Sequence, residues 1–594
     1  MREFFKMFFA SLLAMVIAGI VCFGLFIAGL AAIGSAFSDK ENKKKSGNVI
    51  VIDVSKKIHE QGATNSLAML SDGNGSESGL YEIMKALDHA KTDESIKGIL
   101  LKLSPSANGW ATSQQLRLAL KDFKSSGKFI YAYGENITQG SYFLASVADS
   151  IYLNPAGGIE LKGFATVMPF FKGTLEKLEL EPEIYYAGKF KSATEPFRAD
   201  KMSEPNKEQI RAYQGGMWNE FLSAAAEYTH TDNAAVNQLA QDGTIQFPAD
   251  AVKYKLVASL NYWDEVESRM KAKTGKKADE EVKYININDY AFSHKNDVKY
   301  SSKKIAVLIA EGDIVDGEET EEYQIASKDF CDAIRKVAKD SSIKAVVLRV
   351  NSPGGSALAS EVILRELELL RQKKHLIVSM GDYAASGGYY ISSMADSIFA
   401  LPNTITGSIG VFGMMFSMDK LAKNKLGIVF DEVKNAPYAD FPTSTRPMTA
   451  EEGKRMQNSI DTVYILFKNH VAKGRRLEPA FVDSIAQGRV WTGTDAKARG
   501  LVDNIGGIDK AIACAAGMAG VKDYKVVTYP EPVDKFEALL KKLGVNKSSA
   551  SAEIKAAMKQ EIGDQGYTWY QKIQDLRKIN GKAMMSMPFI PVIE

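Results

Sequence analysis

The sequence predicts an α/β body made of two copies of one unit, set behind an N-terminal membrane helix. Three observations carry that expectation. Residues Met7–Ser38 run for about 30 positions without a charge. Strand-like and helix-like patterns alternate through the rest of the chain, and two long stretches repeat one another in register. The composition agrees: 594 residues with 45% hydrophobic and 25% charged side chains are ordinary globular proportions, which exclude collagen-like and disordered chains. With 74 Lys and Arg against 72 Asp and Glu the formal charge is +2, and nothing in that balance calls for nucleic acid.

The N-terminal run, MFFASLLAMVIAGIVCFGLFIAGLAAIGSAFS, exceeds the roughly 20 apolar residues that cross a bilayer as a helix. A cleaved signal peptide is the alternative, since small residues stand at Gly34–Ala36. Its apolar core is typically only about 7–15 residues, so a retained anchor is expected within residues 1–46. Arg2 and Lys6 precede the run while Lys40, Lys43, Lys44 and Lys45 follow it, so charge alone leans towards a cytoplasmic body. Cys22, Cys331 and Cys514 are far apart, and the six histidines lack the HExxH spacing. Neither a disulfide framework nor a metal site is expected, and the histidines read as surface or structural.

Next along the chain, SIKGILLKLSP at Ser95–Pro105 resembles SIKAVVLRVNSP at Ser342–Pro353. GENITQGSYFLASVADSIYLNP at Gly134–Pro155 aligns without gaps with GDYAASGGYYISSMADSIFALP at Gly381–Pro402, with nine identities in 22 positions. Each copy reads as βαβ units: NVIVIDV, YEIMKALDHA and GILLKL in one, KIAVLIA, DFCDAIRKVA and AVVLRV in the other. A mainly parallel sheet follows from that alternation. The copies are placed at 47–299 and 300–546, with a helical extension at 547–594 that would pack in an oligomer.

The chemistry concentrates in the second copy. The strand LIVSMG leads into DYAASGGYYISSMA, which sets Ser386 where strand turns into helix, followed by two glycines. Unpaired N–H groups at such a junction stabilise negative charge on an attacked carbonyl. Upstream, NSPGGS ends a strand in Pro353-Gly354-Gly355. One of these glycines is a candidate half of an oxyanion hole, and a plain tight turn is the rival reading. At the aligned positions of the first copy, Ser386 becomes Gln139 and the glycine pair is lost. No histidine accompanies the serine, but the first copy carries Lys191 in YYAGKFKSATEPF, where the second copy has Tyr438. These complementary losses point to one composite site, with a buried Lys191 of lowered pKa as base.

Together the N-terminal anchor, GKFKSATEPF, NSPGGS, YAASGGYYIS and TGSIGVFG resemble the signal peptide peptidases of the protease IV (SppA) family in their long tandem-domain bacterial form. The resemblance covers nearly the whole chain. It implies tandem ClpP/crotonase-like domains and a Ser/Lys dyad that hydrolyses peptide bonds without a cofactor. Ser386 would be the nucleophile and Lys191 the base, with Lys189 the weaker choice. Ser408 would orient the lysine, and Gly387 with Gly355, or less readily Gly354, would donate the oxyanion N–H groups. It further implies cleaved signal peptides as substrates, a homotetramer, and the inner membrane with the body on the periplasmic side, against the lean of the charges. Met414, Met415 and Phe416 are candidates for an apolar pocket, or simply core. A crotonase-like acyl-CoA enzyme and a non-catalytic membrane scaffold are the competing readings.

Overall fold

The computed structural model describes residues 47–64, 76–294, 301–319, 323–531 and 583–587. The expected anchor therefore lies outside the described residues, as does most of the helical extension expected at 547–594; the part of it that is described contains a β-strand, Ala583–Ser586, not a helix, because its backbone pairs with strands of the second repeat. Among the described residues no helix is long and apolar enough to cross a membrane.

The strand-like runs form two sheets that share an order of six strands, and the second carries two more, Ile405–Gly407 beside the end of His375–Ala385 and Val490–Thr492 antiparallel to Ile405–Gly407. In the first, the order is Tyr284–Asn286, Val49–Asp53, Gly98–Leu103, Phe129–Ile137, Ser150–Ile159 and Ser259–Leu260, all parallel. In the second, Lys525–Tyr529, Lys304–Glu311, Ile343–Ser352, His375–Ala385, Ser397–Ala400 and Asn504–Ile505 follow the same sequence of neighbours, again parallel. Duplication seen in the residues is thus duplication of topology.

The central strands Val49–Asp53, Gly98–Leu103, Lys304–Glu311 and Ile343–Ser352 are mostly apolar because both faces are covered. Ala306, Leu308, Val346 and Leu348 enter one core, while Ile305, Val307, Ala345 and Val347 enter another on the opposite face. Helix Ser327–Lys339 covers the first of these with Phe330, Cys331, Ile334 and Val337, one stripe of a 3.6-residue period. Ile50, Ile52, Ile99 and Leu101 do the same work in the first repeat, with Val49, Leu100 and Tyr131 on the reverse face.

A third sheet joins the repeats. Glu181–Ala187 of the first pairs antiparallel with Val411–Ser417 of the second, Ala187 opposite Val411. The buried pair Arg349 and Glu60 crosses the same boundary, with Nε to Oε2 at 2.8 Å and Nη2 to Oε1 at 3.0 Å. Thr112 adds two more bonds, donating to Asp382 from its backbone N–H at 2.8 Å and from its hydroxyl at 2.6 Å. Two of the scattered histidines also find a structural place: Tyr290 donates to Asp93 at 2.8 Å, and its hydroxyl lies 2.9 Å from Nδ1 of His89. His294 Nδ1 sits 2.8 Å from the Tyr290 carbonyl.

Candidate active site

Strand His375–Ala385 ends at Ser386, and helix Gly387–Ser392 begins directly after it. The turn between them is so tight that Ser386 adopts φ 55° and ψ −114°, a strained conformation for a residue with a Cβ. Two backbone bonds hold it there. The Ser386 N–H donates to the Gly407 carbonyl at 2.8 Å, and its own carbonyl accepts from Tyr390 N–H at 2.8 Å. The side chain is wholly buried.

Lys191 arrives from the other repeat, and both side chains belong to one chain. The cross-repeat pairing of Glu181–Ala187 carries the backbone to the second repeat, and Gly188 (φ 105°) turns it inward beside Gln487. The loop is then pinned: Phe190 N–H donates to the Gln487 carbonyl at 2.8 Å, and Lys191 N–H to the Gly188 carbonyl at 3.0 Å. Gly488 packs against the Lys191 backbone so closely that a Cβ on it would lie 2.7 Å from Lys191 Cβ.

The lysine amine reaches three oxygens. Nζ is 2.8 Å from Ser386 Oγ, 3.1 Å from Ser408 Oγ and 3.3 Å from the Ser408 carbonyl. Burial penalises the ammonium form and drives the pKa of Lys191 well below the usual lysine value. A neutral amine has two N–H donors and one lone pair. If both donors go to Ser408, the lone pair can accept from the Ser386 O–H, an arrangement in which an amine can take a proton from a hydroxyl. Ser408 is held by its own N–H, which donates to the Arg489 carbonyl at 2.7 Å. Lys189 is exposed, its amine over the ring of Phe190.

The glycine pair lies against the same junction. The Gly354 N–H donates to Ser352 Oγ at 3.1 Å. A Cβ on Gly354 (φ 107°) would stand 2.7 Å from the backbone N of Gly387, and one on Gly355 would collide with the Ile314 backbone. Met414 and Met415 are buried on the strand beside the site. At the positions that lost the chemistry, Gln139 is a buried structural pin: its Oε1 accepts from Lys162 N–H and Gly163 N–H at 2.8 and 2.9 Å. Tyr438 lies half-exposed under the guanidinium of Arg455.

Sequence reading missed the support behind Lys191. Gln209 Nε2 donates to Ser192 Oγ at 2.9 Å and to the Phe190 carbonyl at 3.1 Å, while Gln209 Oε1 accepts from Val490 N–H at 3.2 Å. Ser192 in turn donates to Asn206 at 2.9 Å. Two polar residues in an otherwise ordinary helix, Glu204–Thr229, gave no spacing signal.

A family model described as Peptidase family S49 matches residues 122–277 and 368–522. Protease 4 of Salmonella typhi is 38% identical over 493 residues, covering 81% of this chain and 79% of that protein. Protease 4 of Haemophilus influenzae is 37% identical over 443 residues, 73% of this chain and 72% of its own. The chloroplastic serine protease SPPA of Arabidopsis thaliana is 32% identical over 448 residues, 74% of this chain and 66% of its own. Among solved structures, a ClpP1 mutant from Listeria monocytogenes matches with a TM-score of 0.22 at 14% identity, over 35% of this chain and 94% of that one, too low a likeness to carry an argument.

Proposed function

Because the chain belongs to peptidase family S49 and is a serine protease of the signal peptide peptidase type, we propose that Ser386 is its nucleophile and Lys191 its general base. The observation that carries this is the 2.8 Å approach of Lys191 Nζ to Ser386 Oγ in a buried setting. Ser386 Oγ attacks the scissile carbonyl as Lys191 takes its proton, and the lysine returns that proton to the leaving amine. Lys191 then draws a proton from water, whose oxygen attacks the ester and releases the acyl group as a carboxylate. The N–H groups of Gly355 and Gly387 hold the oxyanion, a role worth about 2.7–4 kcal/mol per donor in a studied protease. Ser408 keeps the neutral amine in one orientation.

Cleaved signal peptides and other apolar peptides are the proposed substrates, met at the bilayer by a body tethered through residues 1–46. On this reading the protein is a single-pass inner-membrane homotetramer with its body in the periplasm. Its repeats are ClpP/crotonase-like domains at 47–299 and 300–546. The test is hydrolysis of a fluorogenic apolar peptide by the full chain in detergent. Ser386→Ala and Lys191→Ala should each lose at least about a thousandfold in kcat. Because both groups come from one chain, mixing the two variants should restore nothing. A Ser386→Ala chain as active as wild type would end the proposal and favour an acyl-CoA enzyme, which needs no nucleophilic serine.

A further inference from the structure

The third sheet contains a strand from the far C-terminal part of the chain. Ala583–Ser586 lies between Gly354–Ser356 and Val411–Ser417, antiparallel to both. On one side Gly354 faces Ser586, Gly355 faces Met585 and Ser356 faces Met584. On the other, Phe412 faces Met584 and Gly413 faces Ala583. The Met587 N–H extends the ladder by donating to the Pro353 carbonyl at 2.7 Å.

The register matters more than the pairing. The carbonyl oxygen of Met585 occupies the space that a Cβ on Gly354 would take, and lies 3.0 Å from where a Cβ on Gly387 would stand. That carbonyl thus enters between the glycine pair and the residue that follows Ser386. The Met585 side chain is wholly buried in the main core of the second repeat. Met587 is buried too, among Ile210, Tyr213, Met217 and Ala385. The segment runs past the nucleophile in both directions, as an uncut peptide would. Main-chain pairing with two flanking strands and side-chain burial at alternate positions is how an extended peptide adds to a sheet.

We propose that residues 583–587 are a tethered ligand of the active site, seated where a peptide substrate lies with Met585 at the acyl position, so that the tail must leave before a substrate enters. This rests on the assignment of Ser386 and Lys191 above. The ligand class is an extended apolar strand with a long unbranched side chain at the acyl position. A tail that is seated about nine-tenths of the time leaves one-tenth of the sites open, which raises the apparent KM about tenfold without touching kcat.

The test compares the full chain with one ending at Lys582 and with full-length Met585→Asp, whose carboxylate cannot be seated in that buried position without a large desolvation cost. Both variants should show KM about tenfold lower at unchanged kcat, and the free peptide Ala-Met-Met-Ser-Met should inhibit the shortened chain competitively. A fluorescent form of that peptide should bind the Ser386→Ala chain about tenfold more tightly when residues 583–594 are absent. This last arm needs no turnover, so it decides the tail's role even if the dyad assignment fails. Equal KM and equal peptide affinity with and without the tail would overturn the proposal. So would unfolding of both tail variants, which would make the strand a structural part of the sheet.

Discussion

At Lys191 burial and hydrogen bonding act on the same proton. Burial holds the folded-state pKa well below the usual value, whereas in the unfolded chain the amine titrates near about 10.4. Between those two values the unfolded state binds a proton that the folded state does not, so stability rises with pH across that window and the site costs stability at neutral pH. Lys191→Met should therefore abolish turnover while raising unfolding free energy at pH 7 by about 1 kcal/mol, a gain that fades as the pH approaches about 10. Denaturant titration at several pH values checks it. If Lys191 is the base, the same depressed pKa should set the acid limb of the kcat/KM profile, with activity falling as pH drops through it. Ser408→Ala removes one of the two acceptors of the amine. It should lower kcat about tenfold, the worth of one hydrogen bond, and shift that acid limb while KM stays constant.

The element that delivers the lysine is the ribbon of Glu181–Ala187 and Val411–Ser417, and helix Ala450–Arg475 backs it. Met448 N–H donates to Glu183 at 2.6 Å, and Gly453 lets the helix approach Tyr185. The helix start is built as a capping box: Thr449 N–H donates to Glu452 at 2.8 Å, and Thr449 Oγ1 accepts from Glu452 N–H at 3.2 Å. Arg446 grips the same carboxylate and holds its pKa down to about 2. Thr449→Ala should cost about 1 kcal/mol in a thermal or denaturant melt. Because the Glu452 pKa is depressed, its contribution is whole above the unfolded value of about 4.3 and is lost as pH falls towards 2. The parallel strands and the helices at Leu80–Thr92 and Ser327–Lys339 were legible as hydrophobic period. The ribbon was not, because EPEIYYA has only four apolar residues in a row behind two glutamates and a proline, and its partner lies in the other repeat.

Across the whole molecule the site exists only while the repeats stay docked. Arg349 and Glu60 are both buried at that junction. Burial raises the Glu60 pKa despite the guanidinium, which opposes the shift. Removing one partner strands a charge, so Arg349→Met should cost about 3–5 kcal/mol, while Glu60→Leu with Arg349→Met should come within about 1 kcal/mol of wild type. Hydrolytic activity should fall with the single variant at temperatures where the double variant keeps it, since docking holds Lys191 against Ser386.

The sequence by itself determined the duplication, the α/β alternation and the residue types of the site. Repeats align by identity, buried strands show as apolar runs, and the loss of serine in one copy and of lysine in the other is visible without coordinates. Only the tertiary structure decided which atoms meet. The approach of Lys191 to Ser386, the support from Gln209 and Gly488, and the placing of Met585 between Gly354 and Gly387 all join residues far apart in the chain. Such contacts are set by the closure of one repeat on the other, and no local pattern of residues encodes that distance.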